Sequence, residues 1–220
     1  DADEQRHLSS LLLTHMHFDH TRDIPTLGLA TLSLPTSIDV YSQESTLTNV
    51  RDHLLTDIYP DLTQPLNDDP AAFAFHPIDG WETLSVGGYR IKPIPVEHPV
   101  PTVGYIIQPE GGKSLAYSGD TGGALMRFME DPMAPELLFV DVTFPNALEW
   151  RAKISGHLTP ALLKQQLTLA REAGVPIPRI VSVHRSLEHE EDILRELSEV
   201  GKELSIDIEP GYEGMVVDSI

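Results

Sequence analysis

At 220 residues, 40% of them hydrophobic, the chain is long enough to bury a sizeable core and too apolar to be disordered over most of its length. Its 15 basic and 34 acidic side chains give a formal net charge of −19, which repels phosphate backbones and argues against a long nucleic acid as partner. There is no cysteine, which excludes disulfides and thiolate metal sites and leaves any metal to His and carboxylates.

Residues 9–14 read as a short buried strand, an apolar run bounded by polar residues. Residues 19–32 read as a helix weakened by Pro25 and Gly28. A strand is expected at 38–41, followed by a helix at 45–56 with Leu47, Val50 and Leu54 on one face. Four prolines and three aspartates within 59–77 resist regular structure, so 57–80 is expected to be a surface loop able to act as a lid. From Trp81 to Gln108 short β runs separated by Gly and Pro predict antiparallel sheet, with strands at 89–96 and 103–107. Strands at 114–117 and 137–142 flank a helix at 123–129. Thr159 followed by Pro160 is a helix start, because the hydroxyl caps free N–H groups and Pro is tolerated in the first turn. That helix is expected to run to about 173, with Leu162, Leu163, Gln166, Leu167 and Ala170 inward and Gly174 as its stop. A strand at 180–183 and an amphipathic helix at 188–200 follow. No apolar run approaches the ~20 residues a membrane span requires. One domain covering 1–220 is expected.

The run His15, Met16, His17, Phe18, Asp19, His20 puts three imidazoles and a carboxylate on a loop after an apolar strand, a ligand set suited to Zn²⁺ or a similar ion. Their spacing sends His15 and His17 toward one ion and Asp19 and His20 toward a second. Three further candidates each follow an apolar run: His98, Asp120 and His184. His7, His53, His76 and His189 lack partners in this pattern and are expected at the surface or in loops.

This order of residues resembles the metallo-β-lactamase superfamily, whose signature is a His-x-His-x-Asp-His loop followed by His, Asp and His ligands. The likeness runs from residue 10 to 184. It implies an α/β fold, the αββα sandwich of two mixed β-sheets packed face to face with helices outside. It also implies two divalent ions, Zn²⁺ before Mn²⁺ or Fe²⁺: the first held by His15, His17 and His98, the second by Asp19, His20 and His184, with Asp120 between them. Only 14 residues precede His15, where the family places two or three strands, so N-terminal strands are expected to be missing or built differently.

Residues 138–146, which include Asp141, and the segment Gly156-His157-Leu158-Thr159-Pro160 resemble the phosphodiesterase branches of the superfamily, nearer to class II cyclic-nucleotide phosphodiesterases than to tRNA 3′-processing endonucleases. By that likeness Asp141 orients His157 as proton donor, and with Asp19 these residues make up the expected catalytic set. The expected reaction is hydrolysis of a small phosphodiester by a metal-bridging hydroxide. The alternatives are a tRNA-processing ribonuclease, an ester, lactone or thioester hydrolase, and a metal-binding regulatory protein without turnover. Arg185 is a candidate phosphate contact, and Thr121 a candidate support for Asp120. The expected partners are a small phosphodiester or ester substrate and a second copy in a homodimer, with no long nucleic acid and no membrane. The cytoplasm is favoured, with export left open because Asp1 is not an initiator Met.

Overall fold

The computed structural model describes residues 7–32, 34–56, 61–65 and 69–217. The chain is α/β and falls into two compact units, Asp1–Glu82 and Thr83–Ile220.

In the first unit three strands, β1 (Ser10–Leu12), β2 (Ile38–Ser42) and β3 (Phe73–Pro77), form a sheet in that order with both pairings parallel. Burial alternates along β2: Ile38, Val40 and Ser42 are covered while Asp39 and Tyr41 lie on the other face, as the two-residue period of a strand requires. Two short helices follow β1, α1 (Phe18–Thr21) and α2 (Ile24–Thr31). The break falls at Arg22 and Asp23. Pro25 sits in the first turn of α2, where its missing N–H has no intrahelical acceptor to lose. Gly28 does not interrupt the helix. It allows the close approach of the helix to the core, because a Cβ there would come within 2.6 Å of Phe73 and 2.7 Å of Leu62.

The helix expected at 45–56 is α3 (Glu44–Val50), continued by a π-helical segment, Arg51–Leu55. The wider turn adds a residue to the repeat. It is therefore Leu55, not Leu54, that joins Leu47 and Val50 as a fully buried side chain. The expected loop at 59–77 is corrected at its end, since 73–77 is β3, paired residue by residue with β2. Phe73 and Ala72 are buried in the core of this unit, and that burial outweighs the Pro- and Asp-rich composition before them. Residues 57–60 and 66–68 of the expected lid lie outside the described residues. His76 is on this strand, where its Nε2 lies 2.7 Å from Asp39 Oδ1 and its ring stacks on Tyr41 at 4.8 Å.

The second unit holds a seven-stranded mixed sheet in the order β10-β9-β8-β7-β6-β5-β4. Its strands are β4 (Leu84–Val86), β5 (Tyr89–Pro95), β6 (Val103–Pro109), β7 (Leu115–Tyr117), β8 (Leu137–Asp141), β9 (Arg179–Val183) and β10 (Ile208–Pro210). Pairings from β4 to β7 are antiparallel, as the sequence predicts for this stretch, and those from β7 to β10 are parallel. The helices are α4 (Met126–Met129), α5 (Glu149–Ser155), α6 (Pro160–Glu172) and α7 (Glu190–Leu204). Thr159 caps α6 by accepting from Leu162 N–H at 3.2 Å. Leu163, Leu167 and Ala170 of α6 are fully buried with Ile193 and Leu197 of α7 and Ile180 of β9 in one core. Each such leucine contributes about 1.5–3 kcal/mol through burial. The parallel strands β7, β8 and β9 deliver Asp120, Asp141 and His184 from their carboxyl ends, where ligands bind in parallel sheets. Among the described residues no helix is long and apolar enough to cross a membrane.

Candidate metal centre

The first unit carries four of the predicted residues on the loop after β1. His15 is fully buried. Its Nδ1 lies 3.0 Å from Thr14 Oγ1 and its Nε2 lies 3.0 Å from His17 Nδ1. Two nitrogens on one tetrahedral Zn²⁺, with bonds of about 2.0–2.1 Å, stand about 3.3 Å apart. The His15 and His17 nitrogens are thus spaced as a ligand pair. Thr21 fixes the loop by donating to the His17 carbonyl at 3.1 Å. His20 tilts against His15 with ring centroids 4.3 Å apart, and its Nε2 is 3.5 Å from Oδ2 of the more exposed Asp19.

The second unit carries the other five. His98, three residues beyond β5, has its Nδ1 2.9 Å from the Gly156 carbonyl, so Nδ1 is the protonated nitrogen and Nε2 keeps its lone pair. A backbone acceptor of this kind orients metal-binding histidines in general. Gly156 can approach so closely because it has no side chain and a φ of +71°; a Cβ would sit 2.5 Å from Pro99 and 3.0 Å from His98 Nδ1. Asp120, 2% exposed, and His184 converge, with Oδ1 and Nε2 3.5 Å apart, again the separation of two ligands on one ion. Asp120, Asp141, His157 and His184 all offer ligand atoms within 4.8 Å of one another.

Hydrogen bonds divide that group into candidate ligands and the residues that orient them. Asp141 is fully buried. Its Oδ2 accepts from Thr121 N–H at 3.0 Å and from His157 Nδ1 at 2.7 Å, while Oδ1 accepts from Thr143 Oγ1 at 2.5 Å. Thr143 Oγ1 also lies 2.9 Å from the His184 carbonyl, another pure acceptor, and its single proton goes to the shorter and charged Asp141 contact. The Thr143 oxygen then accepts from His184 Nδ1–H at 2.8 Å, leaving the lone pair of His184 on Nε2, beside Asp120. The His157 and His184 rings are stacked at 5.3 Å with planes 12° apart, and both Nδ1 atoms lie within 3.2 Å of Thr143 Oγ1. His184 holds this position with a φ of +59°, a conformation uncommon outside glycine, and such strain collects at functional sites.

Two minor expectations are corrected. Arg185 does not reach out for phosphate: its guanidinium donates to the Ser182 carbonyl at 2.7 Å, to the Gly211 carbonyl at 2.6 Å and to Glu190 at 3.1 Å, pinning the turn after β9. Thr121 does not support Asp120 through its hydroxyl, which donates to the Gly123 carbonyl at 2.5 Å. The residues that the sequence reading passed over are Thr143 and Gly156. Thr143 had a signal, because it lies two residues after Asp141 and so exits the strand on the same face.

Comparison with known proteins agrees with this fold. A family model described as the beta-lactamase superfamily domain matches residues 1–185. Among solved structures, the metallo-beta-lactamase fold protein YhfI from Bacillus subtilis is 18% identical, with a TM-score of 0.72 over 97% of this chain and 77% of that one. Unliganded yeast PDE1 is 17% identical, with a TM-score of 0.76 over 95% of this chain and 68% of that one. The short form of human tRNase Z is 16% identical, with a TM-score of 0.68 over 98% and 81%. At these identities the likeness is one of fold. No match was found among the curated proteins compared.

Proposed function

The chain belongs to the beta-lactamase superfamily, a family of metal-dependent hydrolases, and from that premise we infer that it is a dinuclear phosphodiesterase acting on a small phosphodiester of the cyclic-nucleotide type. The observation that carries the reading is the 2.7 Å contact between His157 Nδ1 and the buried carboxylate of Asp141. A hydrolase needs such a pair when its leaving group is a poor one, an alkoxide that must be protonated as it departs. Asp141 fixes the tautomer, with the Nδ1 proton held on its Oδ2, and stabilises the cation when Nε2 is also protonated. His157 then transfers its Nε2 proton to the leaving oxygen, and Asp141 stays ionised throughout.

By the family signature His15, His17 and His98 would hold the first ion and Asp19, His20 and His184 the second, with Asp120 available to both. The nitrogen-rich donor set suits Zn²⁺, with Mn²⁺ or Fe²⁺ as alternatives. Bound divalent ions supply Lewis acidity, lowering the pKa of a water molecule toward about 7 and drawing charge from the phosphoryl oxygens. Around them the chain's own task is orientation. Gly156 turns His98, Thr143 turns His184, and Asp141 turns His157. The charge of −19 keeps long polyanions away and favours a small substrate.

Metal analysis combined with rates on bis(p-nitrophenyl) phosphate, cyclic AMP, a lactone and a pre-tRNA tests the reading. About two divalent ions per chain and preferential phosphodiester cleavage are expected. His157→Ala should lose about 10²–10⁴-fold in turnover of cyclic AMP, whose leaving group is an alkoxide, and much less on bis(p-nitrophenyl) phosphate, with its metal content unchanged. Rapid lactone cleavage without phosphodiesterase activity would overturn the assignment.

A further inference from the structure

Resting on the phosphodiesterase reading, we propose that Arg151 forms a second anion subsite, which selects substrates carrying an additional phosphate or carboxylate on the arm that leaves toward His157. Arg151 lies on α5, the helix that runs directly into Gly156 and His157. Its guanidinium carbon sits over the Phe144 ring, 5.0 Å from the centroid, and the same ring stands edge-on to His157 with centroids 5.8 Å apart. One buried aromatic side chain, 8% exposed, thus links the exposed cation to the proton donor.

Arg151 is set apart by its seat on the ring that touches His157. Among the described residues no carboxylate forms an ion pair with it, whereas Glu149, the acid on its own helix, is taken by Lys153 at 2.5 Å. The other arginine near these residues, Arg185, is consumed by Glu190 and two backbone carbonyls. The face of Phe144 holds one side of the guanidinium by cation–π attraction. Its N–H edge stays in solvent, and that edge matches the paired oxygens of a phosphate or carboxylate. Because His157 protonates the leaving oxygen, an anion bound at Arg151 belongs to the leaving arm and not to the phosphoryl group being attacked.

The test is calorimetric binding of adenosine 5′-monophosphate and adenosine 3′,5′-bisphosphate to the metal-loaded protein, compared among the wild type, Arg151→Gln and Arg151→Lys, at low and high salt. The wild type should bind the bisphosphate about fivefold or more tightly than the monophosphate. Arg151→Gln should abolish that preference, Arg151→Lys should retain part of it, and added salt should weaken it. Turnover of bis(p-nitrophenyl) phosphate should change less than about twofold in both variants. Equal binding of the two nucleotides by the wild type, or a preference that survives Arg151→Gln, overturns the proposal. Absence of phosphodiester turnover in the wild type defeats the phosphodiesterase reading, while the binding comparison still decides the anion subsite.

Discussion

Thr143→Val keeps the shape of the side chain and removes a hydroxyl that joins Asp141 to His184. Its proton lies on Asp141 Oδ1 at 2.5 Å and its oxygen faces His184 Nδ1 at 2.8 Å. A hydrogen bond to a charged group contributes about 1.5–3 kcal/mol, and a donor left buried without an acceptor costs about 1–3 kcal/mol. Asp141 keeps its contacts with Thr121 N–H and His157, so its share of the loss is partial. His184 loses the acceptor that fixes its tautomer, and with it part of the restraint on a backbone already at φ +59°. The net expectation is about 2–4 kcal/mol of stability, and a fall in metal affinity of about 10–100-fold, as for other groups that orient metal ligands. Tenfold corresponds to about 1.4 kcal/mol, so the affinity loss is about 1.4–2.8 kcal/mol and overlaps the lower part of the stability loss. Chelator competition measures the affinity, and urea unfolding of the metal-free protein measures the stability. Thr143→Ser, which keeps the hydroxyl, should restore most of both. Wild-type metal affinity in Thr143→Val would show that His184 is oriented by something else, and the division of this cluster into ligands and supports would fail.

Asp141→Asn should lower kcat by about 10²–10⁴-fold with metal content intact, because His157 loses the charge that steadies its cation; loss of metal would instead make Asp141 a ligand. Gly156→Ala forces a side chain into positive φ and against Pro99 and His98, so a destabilisation of about 2–4 kcal/mol and weakened metal retention are expected. Wild-type unfolding and metal content in that variant would contradict the packing seen at His98. Arg185→Ala should cost about 1–3 kcal/mol by taking the Arg185 donor from the Gly211 carbonyl and leaving the Ser182 carbonyl only its bond from Gly211 N–H at 2.9 Å, with KM for phosphodiesters unchanged. A raised KM at wild-type stability would return Arg185 to the role of phosphate contact.

Elements that bury one regular face were legible from the sequence. The helix α6 announced itself by Thr159, Pro160 and an apolar stripe, and all three features recur in the structure. The helix α5 did not, because its large apolar residues face solvent: Trp150 is 64% and Ile154 74% exposed, and only Ala152 is buried. A stripe that points outward carries no information about a core. β3 was hidden for the opposite reason, since only five residues of strand follow a long stretch of Pro and Asp. Composition averaged over the whole segment concealed the short run in which Phe73 is buried.

The site divides along the same physical line. Candidate metal ligands are a chemical class, His and carboxylate at strand ends, so His15, His17, His98, Asp120 and His184 could be singled out without coordinates, and the pairing of Asp141 with His157 could be read outright. The residues that orient them belong to no such class. A threonine such as Thr143 is common in any strand exit, and its importance comes from one proton that Asp141 takes and one lone pair that His184 uses. A glycine such as Gly156 ends many helices, and here it also lets a carbonyl come within 2.9 Å of His98. The same holds for Arg151 against Arg185. Proximity in sequence to His184 favoured Arg185, yet its guanidinium is spent inside the fold, while Arg151 gains access to the site through a ring that only the folded chain places beneath it. Residue type and spacing therefore indicate which chemistry is available, whereas the assignment of protons and charges among neighbours decides which side chain performs it.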